Sequence, residues 1–168
     1  MKYLFLDIDG VLNHEDWYVN HIGKYRDSFK EWWEECFDPE CVKRVKHILE
    51  ETGAKIVISS SWRFDPYIKY YFEKIGLPLK KYLRTPNLHT EEGWPDRGEE
   101  IDAFLKEHPC DNYVILDDDK DFTEDQLKHH FVHCCADFPT AYKEGHVGET
   151  GLTDRKMKQA IEILNSTK

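Results

Sequence analysis

Three short apolar runs, each followed by polar residues, constrain the fold of this chain most strongly. They lie at residues 3–8 (YLFLDI), within 54–61 (AKIVISSS) and within 112–119 (NYVILDDD). Short runs that are apolar on both sides of the backbone predict strands of a parallel sheet with helices on both faces. Residues 131–137 (FVHCCAD) are a fourth candidate strand, and residues 77–86 (LPLKKYLRTP) are expected to be irregular or weakly extended.

Segments with helical periodicity separate these strands. Asp38 and Pro39 suit the cap and first turn of one helix, and Gly53 suits its end. Further helices are predicted between residues 65 and 76, over 97–108 and over 152–164. This alternation predicts a Rossmann-like, three-layer α/β/α fold with a mostly parallel sheet.

The chain of 168 residues is predicted to form one domain, residues 1–168. Its content of 40% hydrophobic residues excludes a disordered chain. Residues 11–38 form a polar, aromatic-rich insertion, interpreted either as a flap or minimal cap over a site or as a small separate core under a long loop. Residues 80–96 are a second candidate rim of that site.

The net charge of −10 argues against a tight nonspecific nucleic-acid binder, although a local basic pocket for a strand end stays open. No apolar run approaches the length that spans a membrane. The five cysteines are an odd number, and no signal peptide precedes the first strand. These features predict a reducing, cytoplasmic setting with free thiols.

The polar residues after the strands are the candidate functional site. Asp7 and Asp9 follow the first run, Ser59 and Ser60 the second, and Asp117 to Asp119 the third. Ligands of open α/β sheets bind outside the carboxyl ends of the strands, so we expect these groups to meet. The alternative for the first pair is an acidic strand-to-turn junction, since Asp-Gly is common in turns.

The chemistry of such a cluster is coherent. Grouped carboxylates repel one another unless a cation lies among them, and an all-oxygen donor set favours Mg²⁺. A carboxylate beside that ion can attack a phosphoryl group and form an aspartyl-phosphate. A second acid two residues on can protonate the leaving oxygen and then activate water. A serine hydroxyl and a cationic side chain can hold the remaining phosphate oxygens.

These stretches resemble the motifs of the haloacid dehalogenase (HAD) superfamily. LFLDIDGVLN resembles the first motif, IVISSSWR the second and VILDDD the fourth, while Arg97 in DRGEEI stands where relatives often have the lysine of the third. Together with a late GLT, this combination is similar to the HAD domain family of Swiss Army Knife RNA repair proteins. It is also similar to the phosphatase domain of polynucleotide kinase-phosphatases. The resemblance implies a HAD phosphatase with little or no cap.

The resemblance also implies roles for individual residues. Asp7 is the expected nucleophile and first metal ligand, and Asp9 the general acid/base, whose backbone carbonyl also ligates Mg²⁺. Asp117 and Asp118 are expected to hold the metal. The expected phosphate-binding residues are Ser59, with Ser60 next in line, and Arg97, with Lys80 or Lys81 as alternatives for the cation. Arg63 is expected either to bind phosphate or substrate or to form a surface ion pair.

Mg²⁺-dependent hydrolysis of a phosphomonoester is therefore the expected function. The substrate is expected to be a phosphorylated molecule such as a nucleic-acid 3′ end or a nucleotide. The alternatives are a small-metabolite phosphatase and a catalytically weak phosphate-binding module.

A zinc site is a further alternative, drawn from His129, His130, His133, Cys134 and Cys135. Their spacing matches no standard zinc motif, and strand alternation divides them between two faces.

Overall fold

The sheet is five-stranded and parallel throughout. The computed structural model describes residues 1–21, 36–77, 79, 82–90, 93 and 95–166. The strand order is β3-β2-β1-β4-β5, and every neighbouring pair is parallel. The strands are β1 (Lys2–Leu6), β2 (Lys55–Ile58), β3 (Leu83–Arg84), β4 (Asn112–Asp117) and β5 (Phe131–His133).

Helices cover both faces of this sheet. Leu4 and Leu6 belong to a core shared with the helices Pro39–Thr52 and Asp154–Asn165, whereas Tyr3 and Phe5 pack with the helix Arg97–Glu107 on the opposite face. The Rossmann-like α/β prediction is thus confirmed. The described helices are α1 (Glu15–His21), α2 (Pro39–Thr52), a 3₁₀ turn (Ser61–Phe64), α3 (Ile68–Lys74), α4 (Arg97–Glu107), α5 (Glu124–His129), α6 (Phe138–Lys143) and α7 (Asp154–Asn165).

The local signals for α2 act as predicted. Oδ1 of Asp38 accepts a hydrogen bond from the N–H of Glu40 at 2.8 Å. Gly53 ends the helix in the left-handed region, with φ of 67°. Because a side chain rarely adopts that conformation, glycine is the residue that suits this position.

Two short helices, α5 and α6, lie where no helix was predicted. Each has six residues, which is too short to display a full helical period of apolar positions. Their caps were nevertheless readable, because Thr123 and Gln126 form a capping box at α5. Asp137 caps α6 by accepting from the N–H of Thr140 at 2.7 Å.

Two expectations about strands need correction. Residues 77–86 contain the short edge strand β3, which pairs with Val57 and Ile58 of β2. The candidate strand at 131–137 ends at His133, after which Cys135 forms an isolated bridge to Gly151. Both strands lie at the edges of the sheet, where only one neighbour restrains the backbone.

The middle half of the predicted flap falls outside the described residues. Within the insertion, α1 covers Glu15–His21, and residues 22–35 are not described. Phe37, near its end, is buried against Trp62 and Phe72, with ring centroids 5.6 and 6.4 Å away. That end of the insertion is therefore part of the core. Among the described helices, none is long and apolar enough to cross a membrane.

Candidate functional site

Three carboxylates meet at the carboxyl ends of the two central strands. Asp7 follows β1, and its N–H donates to the carbonyl of Leu116 in β4 at 3.0 Å. This pairing brings Asp7 level with Asp117, the last residue of β4. One oxygen from each of Asp7, Asp117 and Asp118 lies within 4.8 Å of the others. The three side chains could therefore share one divalent cation with oxygen ligands only.

Gly10 provides the space for the third carboxylate. Its φ is 74°, and a Cβ atom built there would lie 2.5 Å from Cγ of Asp118. The turn around it is fixed by Asn13, whose Oδ1 accepts from the N–H of Gly10 at 2.9 Å. Glycine is thus required twice, by the backbone conformation and by the close approach of Asp118.

Arg97 supplies the cation of the cluster. Its Nη1 atom lies 3.0 Å from Oδ1 of Asp7 and 2.9 Å from Oδ2 of Asp117. One guanidinium nitrogen therefore bridges the strand ends of β1 and β4. The alternatives for this role, Lys80 and Lys81, lie outside the described residues.

Neighbouring backbone holds Arg97 in that place. Arg97 begins α4, and the N–H of Gly98 donates to the carbonyl of Asp121 at 3.1 Å. Gln126 of α5 donates from Nε2 to the carbonyl of Gly98 at 3.0 Å. The loop after β4 and the start of α5 thus set the position of α4. The side chain of Asp121 also accepts from the N–H of Arg97 at 3.4 Å.

Burial and the crowding of negative charges raise the pKa values of the carboxyl groups in the cluster. Burial raises the pKa of Asp7, and the guanidinium of Arg97 offsets part of that effect. Burial and then the charge of Asp7 raise the pKa of Asp117 well above its ordinary value. The same two causes raise the pKa of Asp118 to about 7. One guanidinium does not balance three carboxylates, which is the setting in which a divalent cation is stabilising.

The pKa of Arg97 reflects the same arrangement. Burial alone would lower it, but the carboxylates of Asp117 and Asp7 outweigh burial and raise it. Arg97 is therefore a permanent cation in the cluster.

Asp9 lies at the mouth of the cluster and is exposed. Its Oδ1 accepts from Nδ2 of Asn13 at 2.8 Å, and its Oδ2 accepts from Nε1 of Trp62 at 2.9 Å. The two donors fix the orientation of the carboxylate. The sequence analysis identifies neither donor as a partner of Asp9, and the ring of Trp62 also packs against Phe37.

The two serines after β2 differ in their contacts. The hydroxyl of Ser60 donates a hydrogen bond to Asp7 and accepts one from the N–H of Trp62 at 3.3 Å. The hydroxyl of Ser59 is buried and has no hydrogen-bond partner among the described residues. The contacts therefore favour Ser60, the second choice of the sequence analysis, as the hydroxyl nearest the cluster.

Arg63 forms a buried ion pair with Glu100. Its Nη2 atom lies 2.7 and 2.6 Å from the two carboxylate oxygens of Glu100. Its Nη1 atom donates to the carbonyls of Ser59 and Ser60 at 2.8 and 3.1 Å. The expectation of a surface ion pair is wrong, because both side chains are buried. These contacts engage both Nη atoms of Arg63 with Glu100 and with the backbone after β2.

The histidines and cysteines considered for zinc are divided. Nδ1 of His130 is hydrogen-bonded to the carbonyl of Tyr113, and Cys134 belongs to the core. His133 and Cys135 instead lie beside Glu144, with one potential ligand atom of each within 4.8 Å of the others. His133 also contacts the carbonyl of Asp118 at 2.9 Å, so this group adjoins the carboxylate cluster.

An open cavity of about 400 Å³ lies against the cluster. Asp9, Gly10 and Asp118 form its inner side. Tyr18 of α1 and Asp137 are among the residues on its other side. It provides room for a ligand beside Asp9 and Asp118.

The parallel sheet and the carboxylates at its carboxyl end define a domain of the haloacid dehalogenase type. A family model described as the HAD domain in Swiss Army Knife RNA repair proteins matches residues 3–138, so the chain belongs to this family. At the level of the superfamily, this membership indicates a phosphatase-like hydrolase, and HAD proteins generally use a divalent metal. Comparisons with curated proteins and with solved structures find no match.

Proposed function

We propose that this protein is a Mg²⁺-dependent phosphomonoester hydrolase that works through an aspartyl-phosphate on Asp7. One observation carries the proposal: oxygens of Asp7, Asp117 and Asp118 lie within 4.8 Å of one another. Arg97 bridges two of these residues from the side of α4. A buried carboxylate held beside a cation is the arrangement expected for a nucleophile in phosphoryl transfer.

Asp7 performs the first step in this proposal. A carboxylate oxygen of Asp7 attacks phosphorus, a P–O bond forms, and the bond from phosphorus to the ester oxygen breaks. Arg97 and the hydroxyl of Ser60 stabilise the charge that develops on the phosphate oxygens. Both groups already contact Asp7, so they lie close to the point of attack.

Asp9 handles the protons. It gives a proton to the leaving ester oxygen, which departs as the alcohol. It then takes a proton from water, whose oxygen attacks the phosphorus of the intermediate. The P–O bond to Asp7 breaks, phosphate is released and Asp7 returns as a carboxylate. Trp62 and Asn13 orient Asp9 by donating to its two oxygens.

Asp7, Asp117 and Asp118 would hold the metal, with the backbone carbonyl of Asp9 as a fourth oxygen. Their donor chemistry fits Mg²⁺, because all four groups are hard oxygen ligands. Bound there, the ion supplies positive charge to the phosphate oxygens.

Nucleic-acid 3′ ends and nucleotides are the proposed substrates, and small phosphorylated metabolites are the alternative. The description of the family as belonging to RNA repair proteins supports the first choice. The open cavity beside Asp9 supports a leaving group larger than a simple alcohol.

The test is phosphate release from a panel of substrates, with Mg²⁺ and with a chelator in its place. The panel contains a 3′-phosphorylated oligonucleotide, nucleoside monophosphates, sugar phosphates and p-nitrophenyl phosphate. The expected result is Mg²⁺-dependent release that is fastest with the oligonucleotide or the nucleotides. Faster turnover of sugar phosphates favours the metabolite phosphatase. No release from any ester and no affinity for Mg²⁺ would reject the enzyme in favour of a binding module, and capture of phosphate by an added alcohol would indicate a phosphotransferase.

A further inference from the structure

Exposed aromatic rings follow the second strand on the rim of the candidate site. Phe64, Tyr67 and Tyr70 are 47%, 63% and 48% exposed. Phe64 ends the 3₁₀ turn, Tyr67 immediately precedes α3 and Tyr70 lies in its first turn, so all three come from one short stretch of the chain. Large exposed rings in a group are costly in water, so such a group marks an interaction surface.

Cationic side chains are interleaved with these rings. Nζ of Lys74 lies 5.4 Å from the ring centre of Tyr70. Nζ of Lys69 and Cζ of Arg84 lie 5.1 and 5.4 Å from the ring centre of Tyr82. We call these seven residues the aromatic surface: Phe64, Tyr67, Lys69, Tyr70, Lys74, Tyr82 and Arg84.

The aromatic surface is connected directly to the proposed catalytic residues. Trp62 donates to Asp9, and its ring centre lies 6.2 Å from that of Tyr71. The ring of Tyr71 in turn lies 6.5 Å from Tyr67 and 6.2 Å from Tyr70. A continuous series of rings therefore runs from the general acid/base to the exposed surface.

The other side of the aromatic surface joins the same turn. The hydroxyl of Tyr82 and Nη1 of Arg84 both donate to the carbonyl of Arg63, at 2.7 and 3.0 Å. The edge strand β3 is thus attached to the 3₁₀ turn that carries Phe64. Rings and cations form one surface although they come from separate parts of the chain.

We infer that the aromatic surface binds a single strand of nucleic acid whose terminal phosphate lies at Asp7. This inference rests on the proposed phosphatase function. Exposed rings stack on unpaired bases, and cations between them attract the phosphodiester backbone. A folded protein partner is less well matched, because Lys69 and Lys74 lie over the rings of this surface, and lysine is depleted at protein–protein interfaces.

The aromatic surface carries local positive charge although the chain as a whole has a net charge of −10. Lys69, Lys74 and Arg84 give the surface three cations against two carboxylates of the same stretch, Asp65 and Glu73. Weak, local attraction of this kind directs one strand end without general affinity for duplex nucleic acid.

The test is binding of fluorescein-labelled, 3′-phosphorylated 12-nucleotide strands of RNA and DNA, measured by fluorescence anisotropy at low salt. The test variant is Tyr67→Ala with Tyr70→Ala. Both rings are exposed, and circular dichroism verifies that the fold is retained. The matched control is Tyr142→Ala, an aromatic residue that is 71% exposed on α6, beside the opposite edge of the sheet. A duplex of the same sequence is the second control.

We expect the double variant to bind single strands about tenfold or more weakly than the unmodified protein, and Tyr142→Ala to bind normally. Lys69→Gln with Lys74→Gln should reduce the salt dependence of binding. Equal affinity in the double variant and the control, stronger binding of the duplex, or no binding of any strand would overturn the inference. Comparing the affinities for the RNA strand and the DNA strand shows which kind of nucleic acid the surface prefers.

The outcome is separable from that of the proposed function. Turnover of p-nitrophenyl phosphate by the unmodified protein tests the hydrolase activity independently of the aromatic surface, since this ester has no nucleic-acid strand that the surface could bind. Hydrolysis of that ester without strand binding rejects the surface alone. Strand binding without hydrolysis of any ester rejects the hydrolase alone.

Discussion

Nη1 of Arg97 lies 3.0 Å from Oδ1 of Asp7, so the first residue of α4 forms an ion pair with the proposed nucleophile. A lysine is more usual at this position in the families that the sequence resembles. Arginine keeps the charge and adds further donors in a planar fork, while the same Nη1 atom also contacts Asp117. The substitution therefore preserves the electrostatic role and offers additional contacts to a phosphate.

Two substitutions of Arg97 distinguish the effect of its charge from the effect of its side-chain shape. Arg97→Gln should lower kcat by about 10²- to 10³-fold, because it removes the cation that stabilises the phosphate oxygens. Arg97→Lys should retain part of this activity, since the charge remains. Steady-state kinetics give both values, and Arg155→Gln, a change at an exposed ion pair, is the control. Activity of Arg97→Gln within twofold of the unmodified protein would exclude the role.

Asp7→Asn should abolish turnover while leaving the fold intact. The amide is not a nucleophile, so we expect a loss of about 10³-fold or more. Acid quenching with a ³²P-labelled substrate should trap label on the unmodified protein and none on the variant. Asp125→Asn, at an exposed position on α5, is the control. Labelling of Asp7→Asn at the normal level would mean that another residue is the nucleophile.

Mg²⁺ should stabilise the protein against heat. At a concentration about 100 times its dissociation constant, we expect the melting temperature to rise by roughly 5–10 °C. Asp117→Asn should lose this response, because it removes a metal ligand. In chelator the same variant should melt no lower than the unmodified protein, since the mutual repulsion with Asp7 is gone. Differential scanning fluorimetry measures both, and an unchanged Mg²⁺ response in Asp117→Asn would contradict the metal assignment.

The buried pair of Arg63 and Glu100 should matter for stability. Glu100→Gln leaves a buried guanidinium without its carboxylate, which typically costs about 3–5 kcal/mol of unfolding free energy. Chemical denaturation measures this value. Arg155→Gln breaks an exposed pair and should cost no more than about 1 kcal/mol. If Glu100→Gln and Arg155→Gln lose equal stability, the buried pair of Arg63 and Glu100 contributes no more to folding than an exposed pair does.

Glu144 should contribute stability that depends on pH. Burial opposes its ionisation, but hydrogen bonds from Lys120 and His133 outweigh burial and lower its pKa to about 2. A lowered pKa stabilises the fold above the unfolded value, and the contribution is lost as pH falls from about 4.5 toward 2.

The measurement compares the unfolding free energy of the unmodified protein with that of Glu144→Gln at several pH values between 7 and 3. The variant should be less stable by on the order of 1 kcal/mol at pH 7, after allowance for solvent screening. The gap should narrow toward pH 3. A gap that widens as the pH falls would contradict the assigned direction.

The central part of the sheet could be predicted from the sequence because its strands are buried on both faces. β1, β2 and β4 are apolar except at their ends, and the polar residues at their carboxyl ends identify the edge of the sheet where the site lies. The segment that contains the edge strand β3 could be predicted only as irregular or weakly extended, since two residues carry no periodic signal. The short helices α5 and α6 were missed for the same reason.

The carboxylates of the site could be predicted, but their partners could not. Asp7 and Asp117 are fixed by strand register, which the apolar pattern encodes. The pairing of Arg63 with Glu100 and the contact of Trp62 with Asp9 depend on how separate segments pack. No local pattern in the sequence reports such contacts.

Gly10 has a consequence for judging other chains with this motif. A single methyl group at that position would occupy the volume that the Asp118 carboxylate fills. The sheet itself does not require that volume, so a chain with a bulkier residue there can retain the fold while its Asp118 carboxylate is displaced. The smallest residue of the motif thus decides whether the third carboxylate can join the other two.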